Sequence, residues 1–308
     1  MDRLLSMRVF VKVVDEGSFV SAARAFDVAP AAVTRLVADL EAHLGVRLLN
    51  RSTRRLALTA VGEQYLGRTR AILADIEEAE ALASSSAAQP SGRVRALIPP
   101  SFSFHQLVKH LPRFCARYPD IAIDLTSAGA LEMADEAYDV SVLLVRTRLE
   151  KGDFVARRLA TTHVILCASP AYLSRHGVPT LPADLSTHRS LVVNSAVQQR
   201  IWSLQRADAS EEGAHASEQT PVNILSAEHA DSLFGAALAG LGIAALPSFV
   251  VEDALANGSL VRVLDGWVLS TLTVYAAMPS RKYVPARTRA FMDFLVDTFS
   301  SPADPWLR

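Results

Sequence analysis

Apolar residues open the chain in three sets with the helical spacing i, i+3, i+4, i+7: Met7, Phe10, Val11, Val14; Phe19, Ala22, Ala23, Phe26; and Val33, Leu36, Val37, Leu40. The pattern predicts three short amphipathic helices closing around one small core. Gly17 and Ser18 separate the first two, and Ser18 suits an N-cap because its hydroxyl accepts from an amide one turn on. Asp27 and Val28 make a tight break before the third, where Pro30 fits a first turn whose amide has no helical partner. This is the spacing of a helix-turn-helix. Gly45 is suited to the left-handed conformation that stops a helix. Beyond it, VRLLNRSTRRLALT predicts two short apolar strands around the polar turn Asn50 to Arg55, a basic-tipped wing.

Thr59 is placed to cap a long helix from about Ala60 to Ala83, in which Tyr65, Thr69, Ile72, Ile76, Ala79 and Ala83 alternate spacings of four and three. So short a seam suits either a dimerising coiled coil or a helix packed on its own domain. The run SSSAAQPSG then marks a linker. From Arg93 onward, strand-like runs such as VRALIP, IAIDLTSA, YDVSVLLV and THVILCAS alternate with helical ones, the pattern of an open α/β region. The expected organisation is an all-α-rich winged helix-turn-helix over 1–59, a linker or dimerisation helix and hinge over 60–91, and an α/β domain over 92–300.

Half of the 308 residues are hydrophobic, enough for two cores. A net charge of -1 spread evenly would disfavour a nucleic-acid partner, but the charge is not spread evenly. Residues 1–60 carry nine Lys/Arg against six Asp/Glu, a balance of +3, leaving 22 against 26 elsewhere; Arg47, Arg51, Arg54 and Arg55 fall where acidic residues are missing. The first residues show no secretory signal, and apolar residues nowhere run together for about 18 positions. The expectation is a cytoplasmic, nucleoid-associated chain with no membrane partner. Cys115 and Cys167 lack metal or redox spacing and suit ordinary core thiols.

The core-facing residues of the third helix leave Ala31, Thr34, Arg35 and Ala38 on the opposite face, where small side chains permit close approach to a major groove. Thr34 and Arg35 are the candidates for base edges or phosphates, against a plain solvated face. In the wing, Arg51, Ser52, Thr53, Arg54 and Arg55 offer groups for phosphates or a narrow minor groove. Arg51 is equally suited to bracing the hairpin. Open α/β sheets bind ligands beyond the carboxyl ends of their strands, which singles out Pro100, Ser101, Phe102 and Ser103, then Thr126 and Ser127, Arg146, and Asn194 with Ser195. Ser101 and Ser103 begin a helix and suit either an anion or simple N-capping; Arg146 suits either an acidic ligand or a structural bridge.

Catalytic signals fail. GLGIAA at Gly240 to Ala245 formally fits a dinucleotide fingerprint, but it follows a helix and enters a strand, the reverse of the required order. No nucleophile elbow, phosphate-binding Walker loop or HExxH occurs, and the eight histidines lack metal-ligand spacing. No catalytic residue, metal or cofactor is expected.

The string VFVKVVDEGSFVSAARAFDVAPAAVTRLVADLEAHLGVRLLNRSTRRLALTAVG resembles the DNA-binding segment of LysR-type regulators, with the Gly-Ser-Phe, Ala-Ala, Leu-Glu, Leu-Gly, Arg-x-Thr-Arg and Leu-Thr landmarks in order. RFCARYPDIAIDL, YDVSVLL, CASPAYLSRHGVPTLPADL and AALAGLGIAALPSF resemble the landmarks of that family's effector domain. Thr34, Phe26 and Leu49 depart from the usual Ser, Leu and Phe while keeping size or chemistry similar. The resemblance implies two α/β subdomains of periplasmic-binding-protein type, I over 92–163 and 269–300 and II over 164–268, with a small-molecule effector between them. It also implies a dimer, assembled further into a tetramer, on inverted half-sites of double-stranded operator DNA, with effector binding altering the access of RNA polymerase. Two rivals stand beside it: an enzyme with a fused DNA-binding domain, using Ser101 or Arg146, and a solute-binding protein with a helical oligomerisation domain.

Overall fold

The computed structural model describes residues 2–52, 55–83, 90–127, 129, 133–146, 149, 152–193, 201–207, 216–280 and 284–307. Contacts divide the chain into two compact units, Met1–Ala88 with Tyr283–Ala286, and Gln89–Lys282 with Arg287–Arg308.

The first unit contains α1 (Arg3–Glu16), α2 (Phe19–Ala25), α3 (Pro30–Leu44), the strands β1 (Leu49–Ser52) and β2 (Arg55–Leu58), and α4 (Ala60–Ala83). Each of the first three helices turns its apolar stripe inward, so that Val9, Phe10, Val13, Ala22, Ala23, Val33, Val37 and Leu40 bury together with Leu48 and Leu49 of the wing. The boundaries have local causes. Ser18 Oγ accepts from Ser21 N at 3.3 Å, and Gly17 and Gly45 end α1 and α3 at φ +61° and +70°. Between α2 and α3 the chain turns through Asp27 at φ +52°, a conformation Asp tolerates better than most side chains. Antiparallel pairing from Leu49↔Leu58 to Ser52↔Arg55 forms the predicted wing.

The predicted seam of α4 divides. Leu66, Thr69 and Leu73 are buried and Tyr65 packs on Phe10 at 5.8 Å between ring centres, whereas Ile72 stays 43% exposed. Thr69 thus lies on the stripe that faces the unit's own core, one helical turn from Leu66 and from Leu73. The side chains of Ala79 and Ala83 lie outside the described set.

The second unit runs β3 (Gly92–Leu97), α5 (Pro100–Phe102), a π-helical turn (Ser103–Leu107), α6 (Val108–Arg117), β4 (Ile121–Thr126), β5 (Val140–Val145) and β6 (Phe154–Ala168). It continues through α7 (Pro170–His176), β7 (Arg189–Val193), β8 (Trp202–Arg206), β9 (Ser217–Gln219), β10 (Val222–Ala227), α8 (Ala230–Leu238), β11 (Ile243–Pro247) and α9 (Ser248–Ala256). It ends with β12 (Val261–Val263), β13 (Trp267–Val268), β14 (Ser270–Pro279) and α10 (Ala286–Phe299).

One sheet of order β10-β7-β11-β6-β14-β5-β3-β4 organises this unit, with β12 on β6; β13, β8 and β9 form a small second sheet. Strands β3, β4 and β5 are parallel, and so are β7, β10 and β11. The long strands β6 and β14 join these halves antiparallel: β6 pairs with β14 from Phe154 to Val164 and with β11 from Val164 to Cys167. The sheet's inner strands β5 and β11 are buried along nearly their whole length and read as almost continuous apolar runs, whereas β4 and β10 at the edges are largely exposed or half-buried.

Candidate nucleic-acid interface and effector site

Packing of α3 fixes which of its residues face outward. Val33, Val37 and Leu40 are buried, and Ala31 and Arg35 lie exposed on the other side with Thr34 at the margin. Arg35 is 84% exposed and reaches Asp39 only at 3.9 Å, a contact too long and too solvated to hold it. Thr34 donates its hydroxyl to Pro30 O at 3.0 Å, which spends its proton on the helix and leaves the oxygen as an acceptor. The wing backbone brings Arg51, Ser52 and Arg55 to the end of the hairpin; their side chains, and Thr53 and Arg54 altogether, lie outside the described residues.

Two residues fasten the wing to the helices beside it, Glu41 from α3 and Thr59 at the start of α4. Glu41 Oε1 accepts from Leu48 N at 2.8 Å and Leu49 N at 3.0 Å, so one carboxylate of α3 ties down the entry of β1. Thr59 Oγ1 donates to Arg47 O at 2.8 Å and accepts from Gly62 N at 2.9 Å, fastening the same segment to α4. Gly62 is required there: a Cβ would lie 2.1 Å from Leu48 O. Thr59 thus fills the N-cap role its position predicts, whereas the task of Glu41 within the Leu-Glu landmark is given only by the folded contacts.

In the second unit, parallel strands set the carboxyl ends of β3, β4 and β5 on one edge, which carries Pro100 to Ser103, Thr126 with Ser127, and Arg146. Thr126, Ser127 and Arg146 are exposed. Thr126 and Arg146 do not end neighbouring strands, since β3 lies between β4 and β5. Their strands are therefore about 10 Å apart. Phe102 is buried against Phe249, Phe299 and Trp306, so its side chain is core rather than lining. Asn194 and Ser195 lie outside the described residues.

Ser101 is not open. Its Oγ donates to Asp231 Oδ2 at 2.9 Å, while His105 Nε2 lies 2.9 Å from Asp231 Oδ1. A carboxylate only accepts, so the His105 proton is on Nε2. Burial pushes the His105 imidazole below its ordinary pKa, partly opposed by Asp231, which keeps the neutral ring as the donor. Asp231 stands in the first turn of α8, just beyond β10, a strand end that the sequence reading passed over. The same seam continues with Gln106 Nε2 donating to Phe249 O at 2.7 Å and with Lys109 on Asp253 at 2.7 Å.

A second polar cluster has the composition of a hydrolase triad without its order. Asp304 accepts from His163 N at 2.9 Å and lies 2.8 Å from His163 Nδ1, and Ser248 Oγ donates to it at 2.7 Å. The serine and the histidine both bind the aspartate rather than each other, and Ser248 is fully buried. GLGIAA connects α8 to β11, helix to strand, which is not dinucleotide geometry. Among the described residues no cluster of three or more His, Cys, Asp or Glu has metal-binding geometry, and no helix is long and apolar enough to cross a membrane.

Together these features define a two-unit protein: a winged helix-turn-helix, and an α/β unit with the strand-end geometry of ligand-binding folds. Comparison with known proteins agrees and is narrower. Residues 4–63 match the bacterial regulatory helix-turn-helix of the lysR family, and residues 87–300 match the LysR substrate binding domain. The chain belongs to the LysR family and is a LysR-type transcriptional regulator with an effector-binding domain. It is 33% identical to an HTH-type transcriptional repressor of Pseudomonas aeruginosa, over 97% of this chain and 93% of that protein. It is 32% identical to the uncharacterized HTH-type transcriptional regulator YhjC of Escherichia coli, over 99% and 100%. Among solved structures, the LysR-type regulator CrgA of Neisseria meningitidis is similar at 31% identity and a TM-score of 0.60, over 96% of this chain and 98% of that one.

Proposed function

We propose that this regulator reads double-stranded operator DNA with α3 and the wing of two or more copies, and that a small effector at the strand ends of the α/β unit adjusts the spacing of those copies. The single observation that carries the DNA reading is the outward face of α3, where Arg35 projects 84% exposed beside Ala31. Thr34 and Arg35 contact base edges or phosphates, and Arg51, Ser52, Thr53, Arg54 and Arg55 of the wing contact the backbone or minor groove. The effector lies near Ser101, Ser103, Thr126, Ser127, Arg146, Asn194 and Ser195, between subdomains I (92–163 and 269–300) and II (164–268). The assembly is a dimer of dimers in the cytoplasm, without enzymatic activity or cofactor, and it acts on RNA polymerase through DNA bending. It responds only insofar as the effector binds its two arrangements unequally.

The test is binding of the purified chain to fragments of its own genomic neighbourhood across a salt series, beside Arg35→Ala. Selective binding of one fragment by the wild type is expected. A lost phosphate contact would lower the salt slope by about 1, whereas a lost base contact would cost roughly 1–3 kcal/mol of discrimination. Unchanged affinity, selectivity and salt slope in the variant would remove Arg35 from the interface.

A further inference from the structure

We infer that Asp231 is a built-in occupant of the effector site: a carboxylate of the chain itself sits on Ser101 and His105, and the effector group that replaces it is also a carboxylate. The inference rests on the proposal that the effector binds at the strand ends.

The seat is built. Ser101 and His105 are each only 8% exposed, and both direct a donor at the same group, one to each oxygen of Asp231. Both groups bond the same carboxylate, and a planar group with two acceptor oxygens meets the two bonds at once, which is carboxylate chemistry. Asp231 is the removable member, with a side chain 37% exposed against 9% for His105. It can rotate into water without leaving a buried charge unpaired, whereas the donors cannot leave.

The contact also spans the sheet. Ser101 and His105 follow β3, and Asp231 follows β10, at the opposite end of the strand order. Asp231 in its seat therefore clasps the two halves, and its replacement breaks that clasp. Gln106 and Lys109 hold the halves independently, so the fold does not hang on Asp231. Beside the seat, Phe104 and Phe234 stand edge-on to the His105 ring at 4.9 and 5.0 Å, and Phe104 is 69% exposed. An exposed ring next to an anion seat favours a carboxylate with an aromatic or other apolar body.

The probe is benzoate, titrated calorimetrically into the full-length chain, with benzamide and benzylamine as neutral and cationic controls of the same shape. A seat filled by Asp231 about nine-tenths of the time weakens apparent affinity about tenfold, so Asp231→Ala should bind benzoate about tenfold more tightly than wild type. Benzamide should gain little, and adding Ser101→Ala to Asp231→Ala should abolish most of the gain. Circular dichroism establishes folding; if the Ala variant does not fold, Asp231→Asn, of equal shape, replaces it with a smaller gain expected in the same direction. No gain for benzoate, a gain that survives Ser101→Ala, or benzylamine binding that disappears with Asp231 would each overturn the inference. Selective DNA binding by the wild type, measured separately, tests the regulatory reading, so the two failures are distinguishable.

Discussion

The contact between Glu41 and the wing makes a prediction whose size follows from the structure. In Glu41→Ala the amides of Leu48 and Leu49 lose their shared acceptor, and both residues are fully buried. Hydrogen bonds to a charged group contribute about 1.5–3 kcal/mol each, and a buried donor left unpaired costs at least as much as the bond. The two bonds share one oxygen and do not add fully, so the expected loss is about 3 kcal/mol. Glu41→Gln keeps an acceptor of the same reach and should lose only about 1 kcal/mol. Urea unfolding can assign the loss to one unit, because Trp202, Trp267 and Trp306, the three tryptophans of the chain, all lie in the second unit. Tryptophan fluorescence should keep its midpoint, while helical circular dichroism gains an earlier transition from the first unit. Hydrogen exchange at the Leu48 and Leu49 amides should accelerate in step. If the Ala and Gln variants unfold within about 0.5 kcal/mol of wild type, the difference expected of ordinary surface substitutions, the pinning role assigned to Glu41 is wrong.

Gly62→Ala is expected to destabilise the first unit by about 1–3 kcal/mol, because the new methyl meets the backbone oxygen of Leu48 rather than a side chain that can swing away; thermal unfolding with wild-type stability would refute that close approach. The two thiols should differ in reactivity. Burial pushes the Cys167 thiol up to about 12, whereas Cys115, expected as a second core thiol, is instead exposed on α6, so mass spectrometry after iodoacetamide at about pH 8 should find Cys115 alkylated and Cys167 protected until urea unfolds the second unit.

The periodicity of the first sixty residues was enough to place three helices and a wing, because the boundary signals there are local. Ser18, Gly17 and Gly45 act through hydrogen bonds and backbone angles within one turn of themselves. The alternation beyond Arg93 was likewise enough for the α/β class, and for the strand ends at Pro100, Thr126 and Arg146. Strand order was not legible: nothing local to β4 or β5 says that β3 intervenes, since pairing joins residues far apart in the chain. The periodicity left the inward turn of Thr69 open, because a polar residue on a short seam is assigned by what packs against it.

The chemistry of the strand-end site shows the same division. Sequence alone determined that Ser101 would stand at the start of a helix after a strand, since capping and turn preferences are settled within a few residues. Only the tertiary structure decided that the group facing it is Asp231, brought from 130 positions along the chain. Such a contact depends on the register and order of a whole sheet, which hydrophobic burial sets collectively and no short stretch of residues encodes.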